Sequence, residues 1–189
     1  MKPSCSRLLQ GALLICAAIT APAQGFNLKA PFAGKPAFLT SVGQSADVEM
    51  VKVLMDRAGI PYKADLKVKA DALMASGAKT LVLAIGGSSK GLGAAGVSAE
   101  AELERSRAVI AMARKHGMKI IGLHVGGEAR RGDLSDKFIV AAVPLCDYVI
   151  VVASGNKDSL FNKLAGKAPL DTVERITKAG EPLAKAFIN

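Results

Sequence analysis

Four short polar segments follow apolar runs in this chain, and each carries residue types that hold anions. They are Ser41-Val42-Gly43-Gln44-Ser45, Gly86-Gly87-Ser88-Ser89-Lys90-Gly91-Leu92-Gly93, Val125-Gly126-Gly127-Glu128-Ala129-Arg130-Arg131-Gly132 and Ser154-Gly155-Asn156-Lys157-Asp158. Glycine lets a ligand approach backbone N–H groups. Serine and amide side chains add donors, and Lys90, Arg130, Arg131 and Lys157 add positive charge. That combination suits a carboxylate or a phosphate. The residues expected to bind are Ser41, Gln44, Ser45, Gly86, Gly87, Ser88, Ser89, Lys90, Gly126, Gly127, Arg130, Arg131, Asn156 and Lys157. Short α/β connections need glycine to turn and polar groups to meet water, so no one segment is diagnostic. Only their convergence at one edge marks a site.

Catalytic constellations are thinner. His124 ends the run KIIGLH, and Glu128 follows four residues later as a candidate acid–base partner. Ser41, Ser88 or Ser89 becomes a nucleophile only beside that imidazole. His116 falls in the last turn of an expected helix, a structural position. An enzyme is therefore the weaker expectation, a small hydrolase or transferase using His124 and Glu128.

The glycine segment does not make a nucleotide loop. Gly86 and Gly91 have P-loop spacing, but Leu92 and Gly93 stand where lysine and a hydroxyl residue are required. Gly87, Gly91 and Gly93 match the G-x-x-x-G-x-G turn of short-chain dehydrogenases. That turn follows a first strand, and here Tyr148 has Val152, not lysine, four residues on. No cofactor is expected. Arg131-Gly132-Asp133 spells an adhesion tripeptide, but three residues recur by chance and an α/β exit loop explains them better.

The elements that must position these residues alternate regularly. Ala37–Val42, Thr80–Ile85, Lys119–His124 and Asp147–Ala153 read as strands, and Tyr62–Ala64 as a shorter one. Helices are expected at 46–58, 66–76, from Ser98 to Gly117, from Ser135 to 143, and at 158–165. Asp171 and Glu174 read as a box opening a final helical region. Strands that are apolar throughout and separated by helices imply a parallel sheet covered on both faces. The expected fold is a single three-layer, doubly wound α/β domain of four to five parallel strands, flavodoxin-like or Rossmann-like.

The N-terminus reads as an address. Lys2 and Arg7 precede an apolar run from Leu8 to Ala21, and Ala21-Pro22-Ala23 supplies small residues before a cut. Residues 1–23 are thus expected to be a cleavable signal peptide, 24–35 a lead-in, and 36–189 the α/β domain, placed in the periplasm or secreted. The run falls short of the roughly 20 residues of a transmembrane helix, so no stable membrane insertion is expected after cleavage. Cys5 and Cys16 leave with the signal, and Cys146 alone offers neither a disulfide nor a cysteine metal site. Losing Lys2 and Arg7 leaves 23 basic against 16 acidic side chains, a net charge of +7. That surplus favours anionic partners. Export, the absence of Trp and only two Tyr argue against nucleic acid.

Taken together, LVLAIGGSSKGLGAAG, IIGLHVGGEARRGDLSDKFI and DYVIVVASGNKDSLF resemble the hallmark segments of an uncharacterised family of exported bacterial proteins, a domain of unknown function. The resemblance spans roughly residues 36–165. It implies export and one α/β domain, and brings no activity, ligand or catalytic residue. The expected function is an exported small-molecule-binding or accessory protein holding a small anionic molecule. A partner-binding subunit of a transport or envelope complex is a further alternative.

Overall fold

A computed structural model describes residues 26–188. The expected signal peptide lies outside the described residues. Chain order is β1 (Ala37–Val42), α1 (Asp47–Arg57), β2 (Tyr62–Ala64), α2 (Ala70–Ala75), β3 (Thr80–Ile85), α3 (Ser89–Ala95), α4 (Ala99–Lys115), β4 (Lys119–His124), α5 (Asp133–Ala142), β5 (Tyr148–Val152), α6 (Leu160–Ala165), β6 (Leu170–Val173) and α7 (Gly180–Ala186). All strands pair in parallel, in the order β2-β1-β3-β4-β5-β6. This is the flavodoxin-like order with one strand added, and its switch point lies between β1 and β3.

The direction of winding reverses at the switch point, so helices fall on both faces of the sheet. Phe38, Leu81, Leu83, Ile120 and Val149 form one core with Leu73, Val109, Ile110, Phe138 and Phe161 from the helices. Leu39, Val82, Ile121 and Ile150 form the other core with Val51, Leu54, Met55 and Leu183. A parallel sheet buried on both faces requires apolar residues on both sides of each central strand, as the sequence shows.

Three expectations need correction. The sheet has six strands, not four to five, because Leu170–Val173 pairs with β5 instead of starting a helix. Its Asp171 is buried, and its carboxylate accepts the Asn27 N–H (2.7 Å) and the Tyr148 hydroxyl in place of capping anything. Second, Ser89–Ala95 is helical where a glycine-rich loop was expected. Ser88 caps it, its hydroxyl accepting the Gly91 N–H at 3.1 Å, and Gly96 closes it in the left-handed region at φ 69°. Third, α5 starts at Asp133, two residues before the expected cap Ser135. The Ser135 hydroxyl instead accepts the Gly87 N–H (2.9 Å), tying the β3 exit to α5.

From Phe26 onward the lead-in is a strap along the N-terminal ends of the strands. The Asn27 amide donates to Leu170 O (2.6 Å), Phe32 packs edge-on to Tyr148, and Ala33 bridges Phe187. Gly34 O then accepts the Thr80 hydroxyl at 2.8 Å, just before β1 begins.

Candidate functional site

Beyond the carboxyl ends of β1 and β3 the chain continues to pair. Val42 O accepts the Gly86 N–H, and Gly43 O accepts the Ser88 N–H, both at 2.9 Å. This zipped pair forms one wall of a cleft of about 680 Å³. Gln44, Ser45, Glu49, Lys67, Ser88, Lys90 and Arg130 give it polar groups, the Glu49 carboxylate being paired with Lys52 (2.8 Å), and Ala46, Val48, Leu66, Ala94 and Ala95 give it an apolar wall. Such a cleft at a switch point is where ligands of doubly wound proteins bind. A smaller, more polar cleft of about 360 Å³ adjoins it, sharing Ser88, Lys90 and Arg130 and adding Gly87, Ser89 and Arg131.

The sequence-predicted residues divide into groups. Gln44, Ser45, Ser88, Lys90 and Arg130 meet in the large cleft. Ser41 and Gly86 are buried beneath it. Gly126 lies against the Asp47–Arg130 pair; a Cβ there would sit 2.0 Å from Arg130 Cγ and 2.3 Å from Asp47 Oδ2. Gly127, Asn156 and Lys157 line neither cleft. Lys157 donates to Glu128 at 2.6 Å, and the Asn156 side chain is spent on Asn162 and the Phe161 N–H.

The cationic rim is therefore largely neutralised from within. Arg131 donates to both carboxylate oxygens of Asp136 (2.8 and 2.9 Å) and of Asp158 (3.1 and 2.8 Å), and to Gly155 O (2.6 Å). Its guanidinium holds both carboxyls below the usual range and is itself held protonated. Arg131 thus staples the β4 and β5 exits to α5. Arg130 differs. Only its Nε is engaged, with Asp47 Oδ1 at 3.3 Å, so both terminal nitrogens remain without partners among the described residues. Lys90 is exposed and forms no ion pair there.

The glycines also serve packing more than a ligand. A Cβ on Gly91 would stand 1.8 Å from Gln44 O, and one on Gly87 2.8 Å from the Ser135 backbone. The N–H groups of Gly43, Gly86, Gly87, Ser88 and Gly91 all have protein acceptors. Side-chain cations, with the N–H groups of Ser89 and Lys90 in the first turn of α3, which have no acceptor among the described residues, are what the clefts offer an anion.

The expected pair of His124 and Glu128 is not assembled. His124 is fully buried, with Nδ1 2.9 Å from Ile85 O, Nε2 3.3 Å from Gly127 O, and the Phe161 ring 5.0 Å away. Strand alternation turns this side chain into the core facing α6, away from the cleft and from Glu128. Burial lowers its pKa more than the two carbonyls raise it. The unfolded chain thus protonates first, near pH 6.5, and unfolding takes up a proton below that value. Stability should fall as pH drops below about 6.5, by up to ~1.4 kcal/mol per pH unit. Urea midpoints of the wild type and His124→Gln measured from about pH 6.5 downward check this; equal slopes would refute it. Cys146 is equally inert, its thiol pushed up to about 12 by burial.

Sequence reasoning missed several cleft residues. Lys67 and Leu66 lie on the β2 exit, a fifth loop at this edge that is invisible unless Tyr62–Ala64 is read firmly as a strand. Asp47 was hidden as an ordinary first-turn acid of α1. Its Oδ2 is buried without a partner. Glu102 and Arg105 of α4 also went unread, although they fix the β1 exit from below. Their only signal is an i,i+3 charge pair on the apolar face of α4. Among the described residues no group of three or more His, Cys, Asp or Glu side chains is placed to hold a metal, and no helix is long and apolar enough to cross a membrane.

Fold and site together define a doubly wound α/β protein with an open cleft at its switch point. The chain belongs to the family described as a domain of unknown function, DUF6305, whose model matches residues 34–187. No curated protein matches it. Among solved structures it is similar to the last common ancestor of HMPPK and PLK/HMPPK vitamin kinases, at 11% identity and a TM-score of 0.38, covering 82% of this chain and 76% of that one. A likeness that distant carries no argument about activity.

Proposed function

We propose that the protein is an exported binding protein that holds a small organic anion in the switch-point cleft. One observation carries this reading: among the cations of the β3, β4 and β5 exit loops, Lys90 forms no ion pair and Arg130, whose Nε engages Asp47, keeps both terminal nitrogens without partners among the described residues, and both side chains line open clefts. The wall of Ala46, Val48, Leu66, Ala94 and Ala95 suits an apolar body behind a carboxylate or phosphate head. The signal-peptide pattern of residues 1–23 supports a place outside the cytoplasm. The burial of His124 and the pairing of Glu128 with Lys157 favour this reading over a hydrolase or transferase built on those two residues.

A thermal-shift panel of carboxylic acids and phosphate esters tests the proposal. At least one acid with an apolar body should raise the unfolding midpoint. Lys90→Ala and Arg130→Gln should each weaken its binding roughly tenfold to a hundredfold, the loss of one charged hydrogen bond. A hit whose stabilisation survives both changes binds elsewhere and removes the assignment.

A further inference from the structure

The opposite edge of the sheet carries the charge that the exit loops lack. Lys35 stands two residues before β1, Lys79 one residue before β3, and Lys119 opens β4. The register pairs Ala37 with Thr80 and Thr80 with Lys119, so these lysines step across three adjacent strands. Strands lie about 4.8 Å apart, which keeps such neighbours within roughly one Debye length. Lys115, at the end of α4, and Lys167, between α6 and β6, extend the same rim.

All five are exposed, and none forms an ion pair among the described residues. Of the acids at this edge, Asp147 is consumed, one oxygen accepting from Arg114 (3.1 Å) and the other from the Ile120 N–H (2.8 Å), and Asp56, in the last turn of α1, lies beside Tyr62 at the start of β2. A helix C-terminus attracts cations and accounts for Lys115. It does not account for Lys35 or Lys119, which stand at strand starts.

We infer that this rim docks the protein on an anionic lipid bilayer, leaving the switch-point cleft facing away into solution. The spread of these exposed cations across three adjacent strands, none of them in an ion pair among the described residues, fits a surface of phosphate headgroups better than a single small anion. The docking is peripheral and inserts nothing. It is independent of the ligand reading above, because no rim lysine lines either cleft.

Co-sedimentation of the purified protein with vesicles of phosphatidylglycerol in phosphatidylcholine tests this. The protein should bind them, leave pure phosphatidylcholine vesicles unbound, and dissociate as salt rises. Each lysine near an anionic surface strengthens partition about five-fold. Lys79→Gln with Lys119→Gln should then reduce partition about 25-fold, and Lys90→Gln should leave it unchanged. Unchanged unfolding midpoints would show that the exposed substitutions leave the fold intact. Equal binding to neutral and anionic vesicles would overturn the inference. So would an equal loss in Lys90→Gln, or binding to heparin or DNA without binding to the anionic vesicles.

Discussion

Glu102→Ala should destabilise the protein by about 3–5 kcal/mol, the range for removing one partner of a buried ion pair. Glu102 is only 1% exposed. Its Oε1 accepts from the Gly43 N–H (3.0 Å) and Arg105 Nη2 (2.8 Å), and its Oε2 from Arg105 Nε (2.8 Å). Arg105 in turn donates to Val68 O (3.0 Å) and Ser41 O (2.6 Å). Removing the carboxylate leaves the mostly buried guanidinium uncompensated and orphans the Gly43 N–H. Thermal unfolding should register roughly 2–4 °C per kcal/mol in a chain of this size. Glu102→Gln, which keeps an acceptor for Gly43, should fall between. A loss below about 1 kcal/mol in Glu102→Ala would mean that the network does not hold the β1 exit.

Gly43→Ala should be comparably severe. Gly43 has φ +100°, and an added Cβ would lie 2.5 Å from Gly86 O and 2.8 Å from the Phe138 ring. The oxygen belongs to backbone that is itself fixed, since the Gly86 N–H donates to Val42 O at 2.9 Å. Strain at this dihedral costs about 1–3 kcal/mol and overpacking about 1–3 more. Together they give a loss of about 2–6 kcal/mol by urea unfolding. Gly93 is the internal comparison: it is helical, and a Cβ there meets nothing within 4 Å. Gly93→Ala should gain about 0.5–1 kcal/mol. If both glycines tolerate alanine alike, the close approach of the two exit loops is wrong.

These residues also show what the sequence could disclose. β1, β3 and β4 lie where their apolar runs place them, because a strand buried on both faces needs a short, largely apolar run bounded by turn residues. α3 was illegible because Gly91 and Gly93 argue locally against a helix, each by about 1 kcal/mol, while the close contact with Gln44 O that needs Gly91 is tertiary. β6 was illegible because Asp171 reads as a cap until Asn27 and Tyr148 are seen to satisfy it. Composition gave the site its cationic side chains. Only geometry separates Arg130 and Lys90 from Arg131 and Lys157, because spacing along the chain does not reveal that Asp136, Asp158 and Glu128 fold back onto the latter two.

The claim that the switch-point cleft is the binding site is tested most directly by amide chemical-shift mapping. A carboxylic acid that stabilises the protein is titrated into the isotope-labelled chain. The largest shifts should fall on Gln44–Val48, Leu66–Lys67 and Ser88–Ala95, with Arg130, and should need roughly tenfold to a hundredfold more acid in Lys90→Ala. Shifts centred instead on the Asn156–Asp158 loop or on the lysines of the opposite edge would contradict the account.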